Sequence, residues 1–196
     1  FPTQLTNISY GVSSGQTTKL VDANSPAEYI VPLGGPNGTG WTEQGFDANA
    51  AGFSSGFAAI GYETVPKSGT SFSGEILTQI PEGNHAVFVR IPFQVDDIAA
   101  VEQLTLGMKF DNGFVAYLNG VKVAQGNAPD NADWATFLDS AGPSDGEALE
   151  YVDFNLTGSV DLLVEGENIL AVHGLNYIAG DISDMLISPQ MRAAIA

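Results

Sequence analysis

Alternation of apolar and polar positions is strongest from Ala86 to Gln125 and returns between Leu149 and Ile187. In AVFVRIPFQV (86–95), Val87, Val89, Ile91 and Phe93 share one face, the period-two pattern of a strand. LTLGMKF (104–110) repeats it, with Leu104, Leu106, Met108 and Phe110 together. In the stretch Lys109 to Gln125, Phe114, Ala116 and Leu118 point one way and Val115, Tyr117 and Asn119 the other. Asn119-Gly120 then predicts a hairpin turn, because both central residues of a type I′ turn need positive φ. Asp111-Asn112-Gly113 reads as a tight turn before that hairpin. LEYVDFNL (149–156) alternates as a strand, and ILAVHGL (169–175) sets Ile169, Ala171 and His173 opposite Leu170, Val172 and Gly174.

The remaining segments carry weaker signals. Residues 1–18 are polar and rich in Ser, Thr and Gly, a linker or an edge strand. Leu20-Val21 and Tyr29-Ile30-Val31 are short β-favouring runs around the turn-forming Asn24-Ser25-Pro26. Residues 33–40 form a Gly-rich loop, and 41–62 read as compact loop with one helical turn after Asp47, a competent N-cap. Residues 63–84 read as loop with a short strand near Ile76-Leu77, and single helical turns are expected in 96–102 and 160–166. Residues 126–147 are a long polar excursion, and 176–184 a second polar tip before a closing strand, Met185-Leu186-Ile187. Long loops of this kind often carry function. The tail from Met191 reads as the start of a linker. At least six strands joined by close turns, with no sustained helical period, predict an all-β sandwich over 19–190.

Composition narrows the partners. A hydrophobic content of 44% supports a sizeable core in a chain of 196 residues. With 23 acidic against 6 basic residues, the formal net charge is −17. Nucleic acid and anionic membrane surfaces, which ask for clustered Lys and Arg, are therefore poor partners. Divalent cations suit such a surface better. The absence of cysteine excludes disulfides and thiolate metal sites. No apolar run reaches the length of a membrane span, and the start at Phe1 is expected of a processed or excised module.

Five segments then carry a family resemblance: VRIPFQVDD (89–97), LTLGMKFDNGFVAYLNGVKVA (104–124), NAP (127–129), GENILAVHGLN (166–176) and SDMLISPQM (183–191). Together with WTEQGFDANAAGF and AAIGYE, they resemble the galactose-binding-domain-like modules of large secreted bacterial proteins. The resemblance covers roughly residues 20–190. It implies a jelly-roll of two antiparallel sheets, secreted or at the cell surface, attached to other domains of a parent chain. Members that bind ligand are usually non-catalytic carbohydrate-binding modules, and a structural calcium is common. Others serve as spacers or adhesive domains with no glycan site.

Candidate chemistry follows from residue type. Glycoside hydrolysis needs two carboxyls at a set separation, and no feature of the sequence singles out a pair. His85 and His173 have no accompanying G-x-S-x-G or H-E-x-x-H pattern, and His173 reads as a hydrogen-bonded core histidine. The chain is therefore not expected to be an enzyme. Sugar binding needs an aromatic platform with amides and carboxylates around it. Trp134 beside Asp133, and Tyr177 beside Asn176 and Asp181, meet that need. Either ring could instead cover the core, and Trp41 is expected to be buried packing. For calcium, which takes six to eight oxygen ligands, the resemblance points to Asp184, with Asp47 as a second candidate. Turn capping is the alternative for both, and a turn accounts for Asp111.

Overall fold

The computed structural model describes residues 16–33, 38–66, 69–177 and 183–196. Twelve strands run in chain order as β1 (Gln16–Val21), β2 (Pro26–Ile30), β3 (Ser54–Phe57), β4 (Ile60–Glu63), β5 (Thr78–Gln79) and β6 (Ala86–Val95). They continue as β7 (Val101–Asp111), β8 (Gly113–Leu118), β9 (Val121–Gly126), β10 (Val152–Asn155), β11 (Gly166–Leu175) and β12 (Asp184–Ile195). One short helix, α1 (Asp145–Ala148), and four 3-10 turns complete the elements.

The strands form two six-stranded sheets. The first has the order β10-β7-β12-β4-β5, with β1 also paired to β12, and the second the order β3-β2-β6-β11-β8-β9. Pairing is antiparallel except where the two-residue β5 runs parallel to β4. The expected all-β sandwich is borne out. Between the sheets lie Val87, Val89, Ile91 and Phe93 of β6, Leu104, Leu106, Met108 and Phe110 of β7, and Leu170 and Val172 of β11. These are residues that the alternation grouped on shared faces. Gly174 sits among them because a Cβ there would lie 2.7 Å from Ile187 and 2.9 Å from Val87.

The structure also corrects the reading. β7 and β8 belong to different sheets, so Asp111-Asn112-Gly113 is the corner where the chain crosses the sandwich. The closing strand runs through Ile195 instead of stopping at Ile187, pairing with β7 along its length and with β1 at its end. Residues 191–195 are thus strand, not linker. The segment 41–62, expected to be loop, contains β3 and β4.

Asn119 and Gly120 both have positive φ, 48° and 92°, as the hairpin requires. A buried amide clasp fixes that turn to the start of β11. Asn168 is fully buried; its Nδ2 donates to the carbonyls of Val164 and Gly166, and its Oδ1 accepts from Val164 N and Asn119 Nδ2. Asn119 Oδ1 in turn accepts from Ile169 N at 2.8 Å. Asn168→Ala removes four hydrogen bonds to part-buried groups, and is expected to cost about 1–3 kcal/mol in urea unfolding. A loss below about 0.5 kcal/mol would show that the clasp does not hold the turn.

The second sheet is also covered on its outer face. Phe88, Val115, Tyr117, Ile169, Ala171 and Leu175 form a separate buried cluster under Trp41, with Trp134 and Tyr177 packed against it. Both faces of β6, β8 and β11 are therefore closed, which explains their near-continuous burial.

Candidate functional site

Two arrangements outside the main core bring chemistry-bearing side chains together. The first is a carboxylate cluster at one end of the first sheet. β7 ends on Asp111 and β12 begins on Asp184, and the register pairing Leu186 with Asp111 brings those ends together. Asp145 joins them from the first residue of α1, whose start is closed by Ser144 N and Oγ donating to Glu147 Oε2 at 2.9 and 2.7 Å. These bonds hold the exposed Glu147 carboxyl below its usual range, the backbone contact contributing most.

One carboxylate oxygen from each of the three aspartates lies within 4.8 Å of the others, and all three residues are buried. Three carboxylates this close and this buried form a compact set of oxygen donors. An all-oxygen donor set suits a hard cation. The loop from Asn127 to Ser144 is pinned to the same corner. Asn112 Nδ2 donates to the Asp111 carboxylate and, at 2.6 Å, to the Ala141 carbonyl, while Asn127 Nδ2 donates to Asn112 O at 2.9 Å.

Asp184 thus lies in the cluster, and Asp47 does not. Asp47 is exposed, and its Oδ1 accepts from Ala50 N at 2.9 Å, so it caps a turn. The sequence reading assigned Asp111 to a turn because Asp-Asn-Gly matches one. Asp145 carried no signal beyond its place in the long excursion.

The second arrangement is an aromatic cavity of about 210 Å³ on the outer face of the second sheet. Trp41, Phe88, Tyr117, Trp134, Asp133 and His173 line it. Trp41 stacks on Phe88 with centroids 4.4 Å apart and meets Tyr117 edge-on at 6.0 Å. Its loop is held down by Arg90, which is buried and donates to the carbonyls of Trp41 and, at 3.0 Å, Glu43. Arg90 Nε also pairs with Glu28 Oε2 at 3.3 Å.

Trp134, half-buried, brings the opposite wall, and its carbonyl lies 3.0 Å from His85 Nε2. Asp133 is exposed at the rim. Its Oδ1 accepts from Ala135 N and Thr136 Oγ1. His173 faces out from β11 between Val115 and Phe88 on the neighbouring strands. Burial holds it far below the usual histidine range, at about 3; nearby His85 adds to the depression and the Asp133 carboxylate opposes it.

Trp134 and Asp133, both read from the sequence as sugar contacts, thus share this cavity, while the other expected contacts lie elsewhere. Asn176 is fully buried, and its Nδ2 donates to Tyr62 Oη, Asp184 O and Asn84 O. It is a structural amide with no donor left for a sugar. Tyr177 is half-buried against the outer cluster and is not among the cavity residues; its N–H bonds Asn112 Oδ1 at 2.9 Å. Asp181 lies outside the described residues. His173 is buried as expected, but among the described residues its Nε2 has no hydrogen-bond partner.

No protein family and no curated protein matches the sequence. The structure is similar to part of a calcium-binding mutant of Bacteroides uniformis β-glucuronidase 2, with a TM-score of 0.55 and 15% identity over 91% of this chain. It is similar to a β-glucuronidase from an uncultured Clostridium species, with a TM-score of 0.51 and 13% identity over 100% of this chain. A glycosyl hydrolase family 2 member from Bacteroides cellulosilyticus gives a TM-score of 0.51 and 12% identity over 90%. The chain spans 18%, 30% and 20% of those three chains. At such identities the likeness is one of fold, a two-sheet β-sandwich.

Proposed function

We propose that the chain is a non-catalytic module that holds a polysaccharide for a larger secreted bacterial carbohydrate-active enzyme. The observation that carries this is the Trp41–Trp134 cavity with the Asp133 carboxylate at its rim. Aromatic walls receive the apolar face of a sugar, and a carboxylate oxygen accepts from its hydroxyls. The neighbouring structures are carbohydrate-active enzymes of which this sandwich covers less than a third, which supports an accessory role.

The clustered acids support binding over catalysis. Asp111, Asp145 and Asp184 are between 0% and 6% exposed, so a sugar cannot reach them. They are suited instead to calcium, whose charge would offset three carboxylates and tie β7, β12 and α1 together. A neighbour described as a calcium-binding mutant is consistent with that choice.

Affinity electrophoresis across a polysaccharide panel tests the reading. The wild-type chain is expected to be retarded on at least one neutral polysaccharide, and Trp134→Ala to lose about tenfold or more in affinity while the chain stays folded. Loss of one stacking ring typically has that size. Equal mobility on every glycan removes the idea. It would favour a second reading, a calcium-stabilised spacer, for which the complete internal bonding of Asn176 and the packing of Tyr177 already speak.

A further inference from the structure

The turn that carries Trp134 also carries Phe137, whose side chain is 54% exposed, more than any other aromatic among the described residues. A single exposed ring is ordinary on a protein surface. What sets Phe137 apart is how firmly the chain on either side of it is fixed. Asp133 N donates to Thr136 Oγ1 at 2.7 Å, and Asp133 Oδ1 accepts from Ala135 N at 3.0 Å and from Thr136 Oγ1 at 2.9 Å. Thr136 N also donates to Asp133 O at 3.0 Å. On the other side, Leu138 is buried in the outer cluster of the second sheet.

His85 touches both arms of this turn. Its Nε2 lies 3.0 Å from the Trp134 carbonyl, and its ring meets the Phe137 ring at 5.1 Å with a tilt of 43°. The His85 carbonyl in turn accepts from Asn176 N at 2.8 Å, which ties the imidazole to the end of β11. Phe137 belongs to none of the buried clusters and does not line the Trp41–Trp134 cavity. The fold therefore holds an aromatic face in water, next in the chain to a wall of the cavity, and draws no core packing from it.

Resting on the carbohydrate reading above, we propose that Phe137 is a second stacking platform, so that the module grips a run of sugar rings. One ring of the glycan lies on Trp134 beside Asp133, and another ring further along the chain covers Phe137. The apolar face of a sugar covers an aromatic side chain, and a ring already held by its turn loses little freedom on binding. Phe137 has no polar atom, so it reads the C–H face that many sugars share. It adds a preference for length and none for sugar identity. Neutral chains suit the site, because a uronate would approach Asp133 across a surface of net charge −17.

Isothermal titration calorimetry of the full chain tests this, with oligosaccharides from monosaccharide to hexasaccharide made by partial hydrolysis of cellulose, xylan, mannan and galactan. In at least one series, the affinity of wild type is expected to rise with length. The gain from the shortest to the longest measurable member should be about three- to tenfold smaller in Phe137→Ala. Trp134→Ala should weaken every length. Phe137→Tyr keeps the ring and should keep the affinity. Phe57→Ala removes another exposed ring, on β3, and should change nothing. Because Phe137 packs in no buried cluster, Phe137→Ala should melt close to wild type.

Affinity that falls in Trp134→Ala but matches wild type at every length in Phe137→Ala overturns the proposal while the carbohydrate reading stands. Equal losses at all lengths in Phe137→Ala, or an equal loss in Phe57→Ala, overturn it as well, since neither marks a separate platform. Glycan binding indifferent to Phe137, with self-association of the chain that Phe137→Ala abolishes, would make the ring a protein contact instead. No binding of wild type to any member of any series overturns the proposal and the carbohydrate reading together.

Discussion

Acidification from pH 7 to pH 4.5 is expected to remove about 2–3 kcal/mol of folding stability through His173 alone. The sign follows from where the proton is accepted. Unfolded, the imidazole titrates near its ordinary value of about 6.5; folded, burial holds it at about 3. Below pH 6.5 the unfolded chain binds a proton that the folded chain refuses, so stability falls as pH falls. The contribution is complete above about pH 6.5 and is lost progressively down to about pH 3, where the total approaches roughly 5 kcal/mol. The charged groups facing the ring are His85 and Asp133, and burial outweighs both.

Urea midpoints of wild type and His173→Phe at the two pH values isolate the effect, since every other titrating group is common to both chains. The wild type should lose about 2–3 kcal/mol more than the variant. Parallel pH dependence in the two chains would mean that water or structural opening reaches the imidazole, and the floor of the cavity would not be dry.

The second large effect is expected at the carboxylate cluster. Calcium at about a hundred times its dissociation constant should add ~2.7 kcal/mol, and for a chain of 196 residues that is a rise of roughly 5–10 °C in Tm. Asp184→Asn, which keeps the shape of the side chain and removes its charge, should abolish most of that rise. Asp47→Asn should leave it intact, because Asp47 caps an exposed turn. The same ion would steady the loop from Asn127 to Ser144, since Asp145 lies at its end and Asn112 ties its carbonyls to the corner beside Asp111. Calcium responses of equal size in wild type and Asp184→Asn, or none in wild type, would remove the ion from the account.

The sandwich was legible because its central strands alternate cleanly. Val87 to Phe93 and Leu104 to Phe110 reveal their inward faces without help from distant residues. β3 was not legible, being short and placed among glycines and serines, where pairing depends on what the neighbouring strand offers, while β5 lies just past the short strand expected near Ile76-Leu77. The site was half legible. Trp134 and Asp133 stand out in a polar excursion and do share a cavity. Asp111, Asp145 and Asp184 lie far apart in sequence, and only the register of β12 on β7 brings two of them to one end. Asn176 misled because an amide at a loop tip looks the same in sequence whether it faces solvent or, as here, bonds Tyr62 and the β12 backbone. His173 was legible as a buried strand residue. Its missing partner could be seen only once Phe88, Trp41 and Trp134 were assembled around it.

The most direct test is a crystal structure of the chain grown with an oligosaccharide of whichever neutral polysaccharide retards it. The account predicts a sugar ring against Trp134, with a hydroxyl within hydrogen-bond distance of the Asp133 carboxylate. A sugar bound on any other face of the sandwich, with the Trp41–Trp134 cavity holding only water, would contradict it.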